Sequence, residues 1–208
     1  MANGIEYIAE LKKAYEQKGG KKVWDRMMEI SNGISDEDKK ALLEVFPECP
    51  EALIEMLEKI DGTYYRSYGD ERITEYFLGS DVSDGEYPYY LFSAQQIIKN
   101  KASILDLEDI FYYAVNDPDE EWGPFLDERL QSDTQKLNWL HFSDCMNNGG
   151  TSTLYVDFTP SEKGRKGQIV RYLHDPDSFD VIADSFEEYL DMIIKSGFKF
   201  ICEDDFKK

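Results

Sequence analysis

The sequence predicts an α+β fold, with helices packed on one face of a curved, largely antiparallel sheet. Three observations lead to this prediction. Apolar residues recur at helical spacing through residues 5–60, aromatic and β-branched residues then form short segments between Gly, Asp and Ser, and one amphipathic helix closes the chain. Because helices on one face cover only half of a sheet, we expect the opposite face to be free for binding.

The composition is typical of a folded chain with one main domain. Of 208 residues, 41% are hydrophobic and 14% are aromatic. This is enough apolar surface for a substantial core, which a disordered acidic chain would lack. The chain is longer than one average domain and short for two, so we expect one domain with an appendage.

The N-terminal residues are predicted to form a helical hairpin. Apolar side chains at helical spacing run over 5–18 and again over 23–30, on either side of a Gly-Gly pair. Asn32-Gly33 then ends the second helix. We therefore divide the chain into a helical N-terminal extension, 1–33, and an α+β domain, 34–208.

Four further helices are predicted before the main run of strands and one after it. Their ranges are 35–46, 50–60, 93–101, 107–115 and 185–195. Ser35 with Asp38 three residues later resembles a capping box, and Ser185 is a good N-cap followed by two glutamates in the first turn. Pro50 fits the first turn of its helix, where the missing N–H has no intrahelical partner to lose.

Seven short segments have the composition of strands. They are 63–68, 73–78, 87–92, 139–142, 152–158, 168–173 and 179–182. Glycine-rich or Asp-Pro turns at 148–150, 163–167 and 174–176 join the last four of them as hairpins. We expect an antiparallel sheet of about six strands, a common size for one domain.

The charge disfavours nucleic acid and anionic membranes as direct partners. The net charge is −20, from 43 acidic and 23 basic residues, whereas phosphates are bound through Lys and Arg. Residues 1–40 carry equal numbers of acidic and basic side chains, so the excess belongs to the α+β domain. An acidic surface can steer a basic protein and speed its association.

The cysteines and the N-terminal sequence predict a cytoplasmic protein. Cys49, Cys145 and Cys202 are too few and too far apart for a disulfide framework. The first residues lack the positive and apolar regions of a signal peptide, and no segment approaches the roughly 20 apolar residues of a membrane helix.

Five side chains that are close in sequence could in principle form a metal or catalytic site. They are His141, Asp144, Cys145, His174 and Asp175. Their spacing matches no zinc-ligand pattern, and no nucleophile motif surrounds the cysteine. We therefore predict no catalytic residues, no metal and no cofactor, and expect function to survive mutation of either histidine or of Cys145.

The most acidic part of the chain is 106–134. It holds ten acidic residues and one arginine, a net charge of −9. We predict that partner-binding residues lie here: Asp117, Asp119, Glu120, Glu121, Trp122 and Asp127. The alternative is a hydrated surface loop whose apolar residues, from Trp122 to Phe125, pin it to the core.

Residues 139–190 carry a series of motifs in a fixed order. They are a tryptophan before a hairpin (139), Asp-x-x-Pro (157–160), Gly-x-x-Gly-Gln-Ile-Val (164–170), His-Asp (174–175) and Ala-x-Ser-Phe-x-x-Tyr-Leu (183–190). This pattern resembles the SUKH superfamily, and a Pro-containing helix that ends in Asp61-Gly62 extends the resemblance to roughly 34–194. The residues that match the family pattern are expected to set turns, caps and core: Trp139, Asp157, Pro160, Gly164, Gly167, Ser185, Phe186 and Leu190.

The resemblance implies a non-enzymatic protein-binding domain. Bacterial members of the superfamily are similar to immunity proteins that neutralise polymorphic or contact-dependent toxins, many of which are nucleases. A fungal relative regulates cell-wall synthesis. We therefore expect an immunity protein whose partner is a basic toxin domain, with a regulatory scaffold protein as the alternative.

Overall fold

The computed structural model describes residues 2–82, 85–101, 108–116, 125–147, 152–174 and 177–206. Within them the chain forms seven α-helices, a seven-stranded sheet and a separate two-stranded hairpin, so the predicted α+β class is confirmed. The helices are α1 (Gly4–Gln17), α2 (Lys21–Ile30), α3 (Asp36–Val45), α4 (Glu51–Lys59), α5 (Ala94–Lys99), α6 (Glu108–Asn116) and α7 (Phe186–Ser196). None of these described helices has the length and apolar character needed to cross a membrane.

The strands are β1 (Arg66–Tyr68), β2 (Glu71–Ile73), β3 (Leu78–Val82), β4 (Gly85–Leu91), β5 (Phe125–Leu126), β6 (Trp139–Cys145), β7 (Ser152–Asp157), β8 (Gln168–Leu173) and β9 (Ser178–Ala183). The main sheet has the order β3-β4-β6-β7-β8-β9-β5. Its neighbours are antiparallel except β5, which pairs with β9 in parallel. The sheet is therefore largely antiparallel, as predicted.

The first predicted strands differ from the structure in their positions. The main sheet begins at Leu78, and the residues before it form the separate β1–β2 hairpin. Gly69, with a φ of 61°, lies in the tight turn of that hairpin, so the chain reverses there instead of continuing into the sheet. The predicted turns at 148–150 and 174–176 lie wholly or partly outside the described residues.

Helix caps place α3 and α7 within one residue of the predicted bounds. The Ser35 hydroxyl accepts a hydrogen bond from the Asp38 amide at 3.0 Å, as an N-cap does. The Asp38 carboxylate accepts a hydrogen bond from the Ser35 hydroxyl, whereas in a full capping box it would accept from the Ser35 amide. The Ser185 hydroxyl accepts from the Glu188 amide at 3.2 Å. Gly197, in the left-handed region with a φ of 74°, ends α7.

Both faces of the sheet are covered, at least in part, by other elements. Alternate residues on the strands point to opposite faces of the sheet. Leu140 and Val156 therefore join the main hydrophobic core under six helices. Trp139 and Tyr155 point to the other face and join a second hydrophobic cluster. Phe111 of α6 lies in that second cluster. The face that we expected to be free is therefore covered at one end by α6.

The N-terminal helices share the main hydrophobic core with α4 and α7. Tyr7, Leu11 and Tyr15 on α1 are fully buried in it. The Tyr7 hydroxyl donates to the Phe77 carbonyl oxygen at 2.7 Å, and the Tyr15 hydroxyl donates to the Tyr76 carbonyl oxygen at 2.6 Å. These two bonds fix α1 to the residues just before β3.

Replacing Tyr7 should destabilise the fold strongly. Tyr7→Ala removes a fully buried ring and its hydrogen bond, so we expect the free energy of unfolding in urea to fall by about 3–5 kcal/mol. Ile5→Ala on the same helix is the control, because Ile5 is 53% exposed, and it should change the value by less than about 0.5 kcal/mol. Equal effects of the two substitutions would show that α1 does not belong to the core.

Candidate functional site

The two histidines lie in different environments. The His141 ring is buried between Tyr155 and Phe92, with ring centroids 4.6 and 4.8 Å away, and its Nε2–H donates to the Ser143 carbonyl oxygen at 3.1 Å. Burial lowers the pKa of His141 to about 3, so the imidazole is neutral at ordinary pH. His174 is exposed, and its Nδ1 lies 2.8 Å from the Asp177 carboxylate.

Cys145 lies at the end of β6 with its side chain buried. Burial raises the pKa of its thiol, which keeps the sulfur protonated and a weak nucleophile. Across the described ranges, no group of three or more His, Cys, Asp or Glu side chains has a geometry that could hold a metal ion. Asp175 lies outside those ranges.

Five of the six predicted partner-binding residues lie outside the described residues: Asp117, Asp119, Glu120, Glu121 and Trp122. The sixth, Asp127, follows β5 and bonds within the chain. Its carboxylate accepts hydrogen bonds from the Arg129 side chain at 2.5–3.2 Å and from the Val181 amide at 3.3 Å. Burial opposes ionisation of Asp127, but these hydrogen bonds outweigh it and lower the pKa. Asp127 thus links the chain after β5 to β9.

Apolar side chains are exposed at both ends of the predicted binding segment. We call the aromatic ones the aromatic surface: Tyr112 and Tyr113 on α6, and Phe125 on β5. Val115 on α6 is also exposed. Tyr112, Tyr113 and Phe125 are 54–60% exposed, although most large apolar side chains among the described residues are buried. Phe125 therefore does not pin the segment to the core, and that role falls to Leu126 and Leu130 in the second cluster.

The burial pattern of α6 explains why this surface forms. Phe111 packs on Trp139 and Phe179, with ring centroids 6.0 and 5.1 Å away, and Ala114 is buried one turn later. The intervening residues, Tyr112 and Tyr113, must then face away from the sheet. Their rings meet edge to face at 5.9 Å.

A second group of aromatic residues lies near the other end of the sheet, where α6 does not cover it. We call it the tyrosine cluster: Tyr64, Tyr65, Tyr76 and Tyr90. The Tyr90 ring on β4 is central, with the other three ring centroids 5.3–5.6 Å away. Tyr64, Tyr65 and Tyr76 are partly exposed. From the sequence we predicted only strands here. The cluster itself was not predicted, because three separate segments supply its rings.

A carboxylate lies beside the tyrosine cluster. Asp144 on β6 is the cross-strand partner of Tyr90 and is largely buried. Burial and the neighbouring Asp144 charge together raise the pKa of Tyr64 to about 12. The cluster thus combines partly exposed aromatic rings with a buried acidic group.

Residues that the family pattern singles out have structural roles. The Asp157 carboxylate is buried, and it accepts hydrogen bonds from the Thr159 amide at 2.7 Å and from the Gln168 amide group at 2.9 Å. A side chain at Gly164 would clash with the Arg129 carbonyl oxygen, which lies 2.3 Å from the Cβ position. These contacts set the turn between β7 and β8.

The comparison with protein families gives one match. The family model described as SMI1 / KNR4 family (SUKH-1) matches residues 33–192, which is most of the chain. The matched range contains all the described strands, the aromatic surface and the tyrosine cluster, and it begins after α2. No curated protein matched the chain.

The buried His141 should make the protein less stable in acid. The unfolded chain binds a proton near the ordinary histidine pKa of about 6.5, whereas the folded chain does so only near 3. Stability is therefore retained above pH 6.5 and lost as the pH falls towards 3. Relative to a His141→Gln variant, we expect the wild type to lose roughly 1 kcal/mol per pH unit between pH 6 and pH 4 in urea unfolding.

His174→Gln is the matched control, since the chain has only two histidines and His174 is exposed. Because it keeps the buried His141, it should retain the loss of stability between pH 6 and pH 4. Parallel stability curves for the wild type and His141→Gln would mean that His141 does not titrate as its burial requires.

Proposed function

The chain belongs to the SMI1 / KNR4 family (SUKH-1), whose members act through protein–protein interactions, and from this we propose that it is a non-enzymatic immunity protein. Its partner is a basic toxin domain of the nuclease type, which it neutralises by binding in the cytoplasm. This function requires a surface that attracts a basic protein and holds it, and it requires no catalytic group.

The observation that carries the proposal is the aromatic surface, which flanks the predicted partner-binding residues 117–122 on both sides in sequence. Most apolar side chains of this size lie in the core, yet Tyr112, Tyr113 and Phe125 stay exposed. The surrounding segment, 106–134, has a net charge of −9. Aromatic anchors ringed by charged residues are typical of protein interfaces.

The charge suits a toxin that acts on nucleic acid. Such an enzyme binds phosphates through Lys and Arg side chains, so its substrate-binding surface is basic. The carboxylates of Asp117, Asp119, Glu120 and Glu121 would attract that surface over a long range and speed the encounter. Trp122 would then supply a buried contact that slows dissociation. Asp127, which Arg129 holds, would lie at the margin of the interface.

A regulatory scaffold of the cell-wall-synthesis type is the alternative function, and it would use the same kind of surface. The genes beside the coding sequence distinguish the two functions. A neighbouring gene for a large toxin with a C-terminal nuclease domain supports immunity, and its absence favours regulation.

Charge reversal in the acidic segment tests the proposed interface. In the triple variant with Asp119, Glu120 and Glu121 changed to Lys, the association rate with the toxin domain encoded next to the gene should fall about ten-fold or more at low salt. Its dependence on salt should become weaker. Stopped-flow binding measures both quantities, and survival of a host that expresses the toxin domain measures protection.

The control reverses three exposed glutamates on the helical side: Glu29, Glu37 and Glu44. The change in net charge is the same, so only the location differs, and this variant should associate several-fold faster than the segment variant. If the segment variant keeps the wild-type association rate and protection at low salt, the acidic segment is only a hydrated surface.

Trp122→Ala tests the proposed anchor separately. We expect the dissociation rate to rise, with a loss of about 2 kcal/mol or more of binding free energy, and little change in the association rate. Surface plasmon resonance with the immobilised toxin domain gives both rates. An unchanged dissociation rate would remove Trp122 from the interface.

A further inference from the structure

The tyrosine cluster has the chemistry of a site for a positively charged side chain. Three tyrosine rings meet around that of Tyr90, and all three are partly exposed. Aromatic ring faces attract cations, and the attraction grows when water is excluded. Because Tyr64, Tyr65 and Tyr76 are partly exposed, an incoming side chain would contact their rings.

Acidic side chains lie near the cluster. Asp144 is the cross-strand partner of Tyr90, and its carboxylate accepts hydrogen bonds from the Tyr64 hydroxyl and from the Cys145 amide. Burial and the charges of Asp205 and Glu75 raise the pKa of Tyr76. A buried carboxylate attracts a nearby cation more strongly than one in water does, because the local dielectric constant is lower. The electrostatic environment of the rings therefore favours positive charge.

The chain already places a guanidinium group on one of these rings. The guanidinium carbon of Arg72 lies 4.7 Å from the centroid of the Tyr65 ring, and its Nε donates to the Tyr65 carbonyl oxygen at 3.3 Å. Arg72 itself is exposed. A planar guanidinium thus fits against the cluster, and this one is held by a short hairpin at its margin.

The backbone at Tyr65 is in an unfavourable conformation. Its φ is 50°, in the left-handed region, which a bulky non-glycine residue seldom adopts. Such positions persist where the surroundings hold them, and they concentrate at functional sites. In this conformation the Tyr65 ring contacts those of Tyr64 and Tyr90, at centroid distances of 5.2 and 5.6 Å.

We propose that the tyrosine cluster binds an arginine side chain of the protein partner, which stacks on its rings with its charge balanced by Asp144. The inference rests on the proposed function in one respect, since it takes the partner to be a basic protein. It adds a second contact, near the opposite end of the sheet from the aromatic surface, and it names the side chain that is recognised.

The test uses a small probe in place of the partner. N-acetyl-arginine methylamide is titrated into the full chain, and the aromatic ring signals of its tyrosines are followed by NMR. We expect saturable shifts confined to Tyr64, Tyr65, Tyr76 and Tyr90. The citrulline analogue has the same shape without the charge, and it should leave these signals in place. Equal shifts from both probes would overturn the proposal.

Three variants test which side chains determine probe binding. Tyr65→Leu should weaken probe binding about five-fold or more. Arg72→Gln removes the competing guanidinium and should strengthen binding about two-fold or more. Arg26→Gln is the control for Arg72→Gln, because it removes an equal charge close by: Arg26 pairs with Glu71, the residue before Arg72. Arg26→Gln should change probe binding less than Arg72→Gln does.

The outcomes are independent of the toxin experiment. Probe binding that survives Tyr65→Leu, or that responds equally to Arg72→Gln and Arg26→Gln, contradicts the arginine site even if the acidic segment is the toxin interface. Conversely, if charge reversal in the acidic segment has no effect, probe binding at the tyrosine cluster still supports the arginine site.

Discussion

The central strands of the sheet carry apolar side chains on both faces, and the rest of the structure depends on covering them. Every residue of β6 and β7 is buried, including the polar ones. One face receives six helices and the large core, to which α1 contributes fully buried tyrosines. The other face receives α6 through Phe111, which packs on Trp139 and Phe179. A sheet with two apolar faces cannot leave either one in water.

This constraint also decides where exposed aromatic residues occur. Because Phe111 and Ala114 face the sheet, Tyr112 and Tyr113 are turned outwards on α6. Among the described residues, Tyr90 on β4 lies on the same side of the sheet and contacts three partly exposed tyrosines instead of α6 side chains. The aromatic surface and the tyrosine cluster thus both lie on the side of the sheet that carries α6.

The two surfaces lie near opposite ends of the sheet. Four strands separate β4 from β5, a span of roughly 24 Å at the usual strand spacing. An interface of standard size buries about 800 Å² on each partner, a patch nearly 30 Å across. One protein partner is therefore large enough to reach both. Each surface combines aromatic rings with acidic groups, so both suit a positively charged partner.

Local sequence patterns determined the helices and the hairpins. Ser35 and Ser185 begin α3 and α7 because an N-cap needs only its own side chain and an amide three residues later. The strands β7 and β8 follow from composition and from the turn between them, which Gly164 and Asp157 set. The family pattern lies in this same stretch, where neighbours in sequence are neighbours in space, so the fold class was predictable from the sequence.

Tertiary structure alone decided which side chains meet across the sheet. Tyr65 precedes the β1–β2 hairpin and Tyr76 follows it. Their contacts with Tyr90 therefore depend on how this hairpin lies against β4. The low pKa of His141 depends on Phe92 and Tyr155 closing over it, and the internal role of Asp127 depends on β5 pairing with β9. Sequence periodicity reports contacts three or four residues apart, whereas these depend on the pairing of distant segments, which no local pattern specifies.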